Sequence, residues 1–223
     1  MVRSLLASSP PVAGRLTGAT TKRLDLRPVE ATSVDRLEPV FAKPEVWRYP
    51  YGRAFTRAET EAFVASQIEH WEALGFGVWV ISHRGSTEAL GYVGLAVPTF
   101  YPEILPAVEI GWRLDPSVWG RGYATEAATA ALADAFGTLQ LSKVVSLPQT
   151  ENPSSIRVAE RIGMRHDRTV MAPPTDKRGP VEIAVMTMAS DEWAALEWGS
   201  RGGRSCAGHR GHVRPTANHA EWQ

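Results

Sequence analysis

The sequence predicts an α/β fold (of α+β type), in which helices cover both faces of a mixed sheet. Short apolar runs bounded by Gly, Pro and polar turn residues are typical of strands. Ser, Thr and Asn cap signals before apolar periodic segments indicate helices. The predicted order is strand, two helices, three strands, helix, strand, helix, strands. Because this order combines meander and crossover connections, it favours a mixed sheet over a purely parallel one.

The predicted domain opens with a strand and two helices. Leu24 and Leu26 indicate a short first strand, and a helix is predicted over residues 34–41. A second helix is predicted to begin at the capping box formed by Thr56 and Glu59. Its apolar face and its end are indicated by Val64, Ile68, Trp71, Leu74 and Gly75.

The next part of the chain is rich in strand signals. Two apolar runs, 78–82 and 89–97, are separated by a turn around Gly85, which predicts a hairpin. Residues 107–114 form a further apolar run, the fourth predicted strand. Three strands in succession therefore lead into the glycine-rich segment that follows.

An Ala-rich helix is predicted over residues 123–136, and its small side chains allow it to lie close to a sheet. Asn152 followed by Pro153 indicates the start of another helix, which Gly163 can end. The remaining predicted elements are a fifth strand at 144–147, a last long strand at 181–188 and a short helix at 191–198.

The composition of the two ends differs from that of the middle. Residues 1–21 contain Ser, Pro and Gly and no acidic residue, which predicts a disordered leader. Residues 199–223 are rich in Gly and Arg and predict a disordered basic tail. Its histidines lack a supporting set of Cys or carboxylate ligands, so no metal site is predicted. The folded domain is predicted to span residues 22–198.

The charge balance and the single cysteine exclude several classes of protein. Lys plus Arg and Asp plus Glu are both 24, so no global attraction to nucleic acid or to a membrane is expected. Cys206 is the only cysteine, which rules out an intrachain disulfide and is consistent with a cytoplasmic protein. No apolar run reaches the roughly 20 residues of a membrane span.

Two glycines stand between the fourth strand and the Ala-rich helix. Gly120 and Gly122 allow close approach of a ligand, and the first amides of the helix have no internal partners. Such a turn can bind a pyrophosphate through backbone N–H groups, and Arg121 can add a positive charge. A plain tight turn has the same local sequence. A dinucleotide-binding turn fits poorly, because Thr125 occupies the third glycine position.

Two separated blocks resemble the GNAT superfamily of N-acetyltransferases, most closely its RimJ/RimL branch. The first block runs from Glu109 to Ala127 through the segment WGRGYAT at 119–125. The second begins at Asn152 and Ser155 and ends near Gly163. The opening TKRLDLRP at 21–28 is similar to the usual start of that branch, and the resemblance covers about residues 21–193. Trp119 and Met164 depart from the common superfamily pattern.

The resemblance implies a GNAT-type fold that binds acetyl-CoA. The sheet would be twisted and mostly antiparallel, with a V-shaped splay between the fourth and fifth predicted strands. The strand end would hold the pantetheine arm, and the glycine turn the pyrophosphate. The implied cofactor-binding residues are Trp112, Arg113, Leu114, Trp119, Gly120, Arg121, Gly122, Tyr123, Ala124, Thr125 and Asn152. Asn152 is also a favoured N-cap residue, so both roles are open.

The resemblance further implies direct acyl transfer from acetyl-CoA to a primary amine of a protein N terminus or a small molecule. Glu109 is the candidate base, although a strand glutamate can also be solvated or paired. Ser155 is the candidate proton donor to the thiolate, although it can simply help to cap its helix. The protein would be a monomer or a homodimer. The alternative is a non-catalytic relative that binds acyl-CoA in a regulatory role.

An aromatic-rich region precedes and follows the second predicted helix. It comprises Trp47, Tyr49, Tyr51, Trp71, Phe76 and Trp79. These rings can either pack in the core or line a groove for the acceptor. The sequence does not decide between the two, and it does not identify the acceptor.

Overall fold

The computed structural model of the protein describes residues 16–174 and 179–201, the last five by backbone alone. In these ranges the strands are β1 (Ala19–Thr20), β2 (Leu24–Pro28), β3 (Val78–His83), β4 (Ala89–Ala96), β5 (Glu109–Leu114), β6 (Lys143–Ser146), β7 (Arg165–Ala172) and β8 (Val181–Ala189). The α-helices are α1 (Ser33–Phe41), α2 (Arg57–Leu74), α3 (Tyr123–Gly137), α4 (Pro153–Arg161) and α5 (Ser190–Arg201).

The strands form one sheet in the order β1-β2-β3-β4-β5-β6-β8-β7. Every neighbouring pair is antiparallel except β5 and β6, which are parallel. This arrangement confirms the predicted α/β fold with a mixed, mostly antiparallel sheet.

Strand β3 shows how alternation creates two layers. Val78 and Val80 lie in the apolar cluster with Phe41 of α1 and Val64 of α2. Trp79 belongs to the cluster on the other face, which contains the buried alanines of α3. Because successive side chains of a strand point to opposite faces, helices can cover both sides of the sheet.

Helix α3 lies close to the sheet because its contact face is small. Ala127, Ala128, Ala131 and Ala135 are buried, and the helix contacts β4 and β5. The predicted helix over 123–136 is therefore confirmed, and its first turn is held beside the end of β5.

Strands β5 and β6 meet only at one end. Their register contains the single pair Glu109 and Val145, supported by a Val145 N–H bond of 2.9 Å to the Val108 carbonyl. Beyond that pair, no residue of β5 toward Leu114 has a register partner on β6. The strands thus diverge where the resemblance placed the splay. They are the fifth and sixth strands rather than the fourth and fifth, because β1 was not predicted.

The folded domain begins earlier than the predicted boundary at residue 22. Leu16 is buried, Ala19–Thr20 forms β1, and the Thr17 carbonyl accepts a 2.8 Å bond from the Trp79 indole N–H. The prediction of a disordered leader is therefore wrong for residues 16–21. The prediction used the composition of the whole leader, which gives no sign that these few residues are ordered. Their order depends on contacts with residues far away in the sequence.

Strand β7 was not predicted from the sequence. Arg165–Ala172 pairs with β8 at the edge of the sheet, and most of its side chains are exposed. A polar edge strand lacks the apolar alternation by which a strand is detected. Residues 1–15 and the predicted tail beyond residue 201 lie outside the described residues, whereas residues 199–201 end α5.

Candidate active site

Two cavities meet at the divergence of β5 and β6. The first, here called the glycine-turn cavity, has a volume of about 630 Å³ and lies against the 118–125 turn and α4. The second, called the aromatic cavity, has a volume of about 400 Å³ and lies on the α1/α2 face of the sheet. The residues lining both are Tyr49, Trp112, Arg113, Asn152 and Ser155.

The glycine turn has the geometry of an anion-binding loop. Gly120 and Gly122 have φ angles of 74° and 77°, and α3 begins at Tyr123 directly after them. A Cβ atom on Gly120 would meet nothing within 4 Å, so the space beside the backbone is open. The first amides of α3 and the positive end of its dipole therefore face a cavity in which a pyrophosphate can bind.

Most of the predicted cofactor-binding residues line the glycine-turn cavity. They are Trp112, Arg113, Leu114, Trp119, Gly120, Gly122, Tyr123, Ala124, Thr125 and Asn152. Trp119 is fixed by a 2.8 Å bond from its indole N–H to the Leu114 carbonyl, while 53% of the residue remains exposed.

Arg121 is the exception among these predicted residues. It is exposed and does not line the cavity, so the structure does not bring its side chain into the site. Its carbonyl instead accepts a 2.9 Å hydrogen bond from the Arg23 guanidinium, and this bond joins the turn to the residue just before β2. The contribution of Arg121 in this structure is therefore made by its backbone.

Arg23 stabilises the glycine turn, and sequence reasoning missed it. Its Nε lies 2.5 Å from Glu126 Oε2, and its backbone N–H donates to Glu126 Oε1 at 2.9 Å. The guanidinium also lies over the Tyr123 ring, 4.4 Å from its centroid. The Thr21 hydroxyl donates to the same Glu126 carboxylate at 2.6 Å. The partners are about 100 residues apart in sequence, so no local signal connects them.

Helix α4 places its first turn between the two cavities. The side-chain oxygen of Asn152 accepts a 3.1 Å bond from the Ser155 N–H, with Pro153 at the first helical position. Asn152 is therefore an N-cap, as its residue type indicates, and it also lines both cavities. The Ser155 side chain is partly buried, and its hydroxyl makes no hydrogen bond to the described residues. It is consequently available to a ligand.

Arginines line the glycine-turn cavity, together with the acidic Glu45 and Glu151. Arg157 and Arg161 lie four residues apart on α4, and Arg48 faces them from the segment after α1. All three are exposed. Sequence reasoning missed them, although the i, i+4 spacing of two arginines on a helix beside a phosphate-type turn was a usable signal.

Glu109 projects from β5 into the aromatic cavity. The residue is partly buried and is one of those that line this cavity. Burial raises its pKa to about 7, and the positive charge of Arg113 acts in the opposite direction. A carboxyl group with this pKa can exchange protons near neutral pH.

Arg113 lies on the same strand face as Glu109, but its side chain stabilises the cavity wall. Its Nη1 donates to the carbonyls of Val46 and Tyr49 at 2.8 and 2.6 Å. Its guanidinium lies 4.2 Å from the centroid of the Trp47 ring. Arg113 therefore holds the segment after α1 against β5.

The aromatic-rich region predicted from the sequence divides into two groups. Trp71, Phe76 and Trp79 are buried in the core cluster between the sheet and α3. The other group lines the aromatic cavity: Trp47, Tyr49 and Tyr51. Core packing is therefore confirmed for the first group, and Trp47 also belongs to a buried cluster, while the role of the cavity as an acceptor groove stays a prediction. Additional rings reach the cavity from α2, β4 and the loop before β5.

Comparison with known proteins identifies the family. Residues 23–165, more than half of the chain, match the acetyltransferase (GNAT) domain. The chain therefore belongs to the GNAT acetyltransferase family, and the resemblance found in the sequence is confirmed at this level.

Two curated relatives share about a third of their aligned residues with the chain. YkkB of Bacillus subtilis (strain 168), an uncharacterized protein, is 32% identical over 155 residues, covering 69% of this chain and 88% of the relative. The FsC-acetyl coenzyme A-N(2)-transacetylase of Aspergillus fumigatus is 31% identical over 193 residues, covering 79% and 78%.

Solved structures agree with the fold. An acetyltransferase from Agrobacterium tumefaciens str. C58 is 29% identical, with a TM-score of 0.63, covering 78% of this chain and 94% of that one. A structure described as a ribosomal-protein-serine acetyltransferase from Vibrio cholerae has a TM-score of 0.64 at 20% identity, covering 79% and 99%. At that identity the second likeness shows the fold alone.

Proposed function

We propose that the protein transfers an acetyl group from acetyl-CoA to a primary amine by direct attack, as an N-acyltransferase. The observation that carries the proposal is the meeting of the two cavities at Ser155 and Trp112, with Glu109 inside one of them. The donor would occupy the glycine-turn cavity and the acceptor the aromatic cavity. The thioester and the amine would then face each other in the gap between β5 and β6.

The glycine-turn cavity fits the donor. The turn of Gly120 and Gly122 offers backbone amides to the pyrophosphate, and the arginines of α4 offer positive charge to the phosphate end. The backbone of β5 from Gly111 to Leu114 lacks a strand partner on the side of β6. The pantetheine amides can therefore pair with Trp112 and Leu114 as a strand would.

The reaction requires a neutral amine and a proton for the leaving group. Glu109, ionised above about pH 7, would accept the proton of the ammonium or of the attacking amine, directly or through water. The amine nitrogen would then form a bond to the thioester carbon. As the carbon–sulfur bond breaks, the Ser155 hydroxyl would donate a proton to the departing thiolate and regain one, through water, from the nitrogen that has attacked. No covalent enzyme intermediate is needed.

Membership of the RimJ/RimL branch, with a protein N terminus or a small molecule as the acceptor, belongs to the same proposal, as does action in the cytoplasm as a monomer or homodimer. The sequence blocks at 119–125 and 152–163 support the branch assignment. In the described residues no helix is long and apolar enough to cross a membrane, and no group of three metal-ligating side chains occurs.

An acceptor panel tests the function. The purified protein is incubated with acetyl-CoA and peptides, polyamines or small amines, and products are read by mass spectrometry, while calorimetry measures CoA binding separately. Acetylated products are expected. Binding of CoA with no acetylated product would favour the non-catalytic acyl-CoA-binding alternative, and the absence of both would contradict the assignment of the cavity.

A further inference from the structure

Building on the proposed function, we propose that the preferred acceptor is a small primary amine with an aromatic body and no carboxylate group. The aromatic cavity carries this inference. Its volume of about 400 Å³ lies within the usual range for small-molecule sites.

The walls of this cavity are mainly aromatic. Nine of its lining residues carry aromatic rings: Trp47, Tyr49, Tyr51, Phe55, Phe63, Tyr92, Phe100, Tyr101 and Trp112. Several of these rings already hold one another in place, with Trp47 stacked on Phe55 and Phe63 tilted against Tyr92. A wall of preorganised rings binds another ring by offset or edge contacts and also favours a nearby ammonium group.

The floor of the cavity is open at Gly111. A Cβ atom on Gly111 would meet nothing within 4 Å, whereas a Cβ atom on Gly94, opposite it on β4, would lie 2.2 Å from the Val78 Cα atom. Both glycines line the cavity, and Gly111 lies two residues from Glu109 on the same face of β5. Space for the body of the acceptor therefore exists beside the carboxyl group that would receive its proton.

Charge in the cavity distinguishes amines from amino acids. Among the described residues that line it, Glu109 and Arg113 are the only charged ones. The Nη1 atom of Arg113 already donates to two carbonyls, the guanidinium lies over the Trp47 ring, and the Nε atom, which has no hydrogen-bond partner in the described part of the chain, is buried. A substrate carboxylate would enter beside Glu109, and Arg113 would have to give up these contacts to pair with it, which is unfavourable. An ammonium group would instead form an ion pair with the Glu109 carboxylate.

A matched acceptor series tests the inference by kcat/KM. Tyramine and tyrosine differ by a carboxylate, tyrosinamide restores the size without the charge, and hexylamine replaces the ring by an alkyl chain. We expect tyramine and tyrosinamide to exceed tyrosine by at least about tenfold, since an unpaired carboxylate must be desolvated. Tyramine is also expected to exceed hexylamine about fivefold through its ring contacts.

A variant pair shows whether the cavity causes this preference. Phe100 is 55% exposed at the cavity and contacts Tyr101, so Phe100→Ala should fold normally. It is expected to lower the ratio of tyramine to hexylamine activity about threefold. Met171→Ala, which also truncates an exposed apolar residue but lies outside the cavity, should leave the ratio unchanged.

The possible outcomes distinguish the inference about the acceptor from the proposed function on which it rests. Equal activity with tyrosine or hexylamine, an unchanged ratio in Phe100→Ala, or a peptide with N-terminal alanine exceeding tyramine tenfold overturns the inference and leaves the acetyltransferase function intact. No acetylation of any acceptor, with acetyl-CoA still bound in calorimetry, removes the proposed function itself.

Discussion

Glu109 illustrates how the surroundings of one side chain set its protonation. The residue begins β5 and lines a cavity of aromatic rings and glycines, so its charged form loses hydration. Burial raises its pKa from the ordinary range to about 7, even though Arg113 on the same strand face opposes the shift. A carboxyl group in this state is suited to act as a base at neutral pH.

Replacement of this group should therefore change both rate and pH dependence. In the unmodified protein, kcat/KM is expected to rise with pH and to level off above about pH 7, as Glu109 ionises. Glu109→Gln should lower kcat by about 10²- to 10⁴-fold and remove that rise. Glu103→Gln, a change at an exposed residue outside both cavities, serves as the control. A normal pH profile in Glu109→Gln would exclude Glu109 as the base.

The same pKa shift predicts an effect on stability. Because the pKa of Glu109 is higher in the folded than in the unfolded state, the folded protein binds the proton more tightly. The associated stabilisation is complete below about pH 4.5 and is lost as the pH rises through 7. At pH 8, Glu109→Gln should increase the free energy of unfolding by about 1 to 3 kcal/mol, measured by urea unfolding. The increase in the free energy of unfolding should be smaller at pH 5. If Glu109→Gln were less stable than the unmodified protein at pH 8, the prediction would be wrong.

Ser155 is distinguished from its neighbour Ser154 by position. Both lie in the first turn of α4 and line the glycine-turn cavity, but only Ser155 also lines the aromatic cavity. Ser155→Ala should reduce kcat about tenfold or more while the dissociation constant for acetyl-CoA changes less than about twofold. Ser154→Ala is the matched control. Equal effects of the two substitutions would remove Ser155 from proton transfer.

At the scale of helices and strands, features that depend on neighbouring residues were predictable from the sequence. Features that depend on contacts between distant residues were not. The Asn152–Pro153 start of α4, the capping box of α2 and the glycine turn before α3 each depend on neighbours in the chain. They were therefore predicted correctly.

The features that were missed depend on residues far apart in sequence or on the sheet itself. Strand β7 is held by pairing with β8 at a polar edge, and β1 by pairing with β2. Likewise, the contact of Arg23 with the glycine turn arises only when β2 and α3 come together. Such contacts carry no periodicity or spacing in the sequence.

Arg23 provides a test of how the turn is held. Arg23→Ala removes the bond to the Arg121 carbonyl and leaves the Glu126 carboxylate unneutralised near the expected phosphates. The KM for acetyl-CoA should rise about tenfold, since hydrogen bonds to charged groups contribute roughly 1.5–3 kcal/mol, while kcat should change little.

A second ion pair of the same kind supplies the control for this prediction. Arg165 of β7 pairs with Glu192 in the first turn of α5 at 2.7 Å, away from both cavities. Arg165→Ala should therefore leave the KM unchanged. Arg23→Ala with Glu126→Gln should recover part of the loss if the unneutralised charge contributes to it. An unaltered KM in Arg23→Ala would show that the turn holds without Arg23.

At the scale of the whole molecule, the divergence of β5 and β6 connects two binding spaces on one sheet. The glycine-turn cavity lies toward the N-terminal ends of α3 and α4, and the aromatic cavity lies under α1 and α2. Five residues line both spaces, so under the proposed function the thioester of the donor would lie next to the amine of the acceptor. This arrangement favours one-step transfer within a ternary complex over transfer through an acetylated side chain.

Steady-state kinetics can distinguish these two routes. If both substrates must be bound together, double-reciprocal plots at several fixed amine concentrations should intersect, because each substrate affects the slope for the other. Incubation with acetyl-CoA alone should leave the mass of the intact protein unchanged. Parallel lines, together with a stable acetylated protein, would instead indicate a covalent intermediate. They would also mean that the junction at Ser155 and Trp112 is not where the amine meets the thioester.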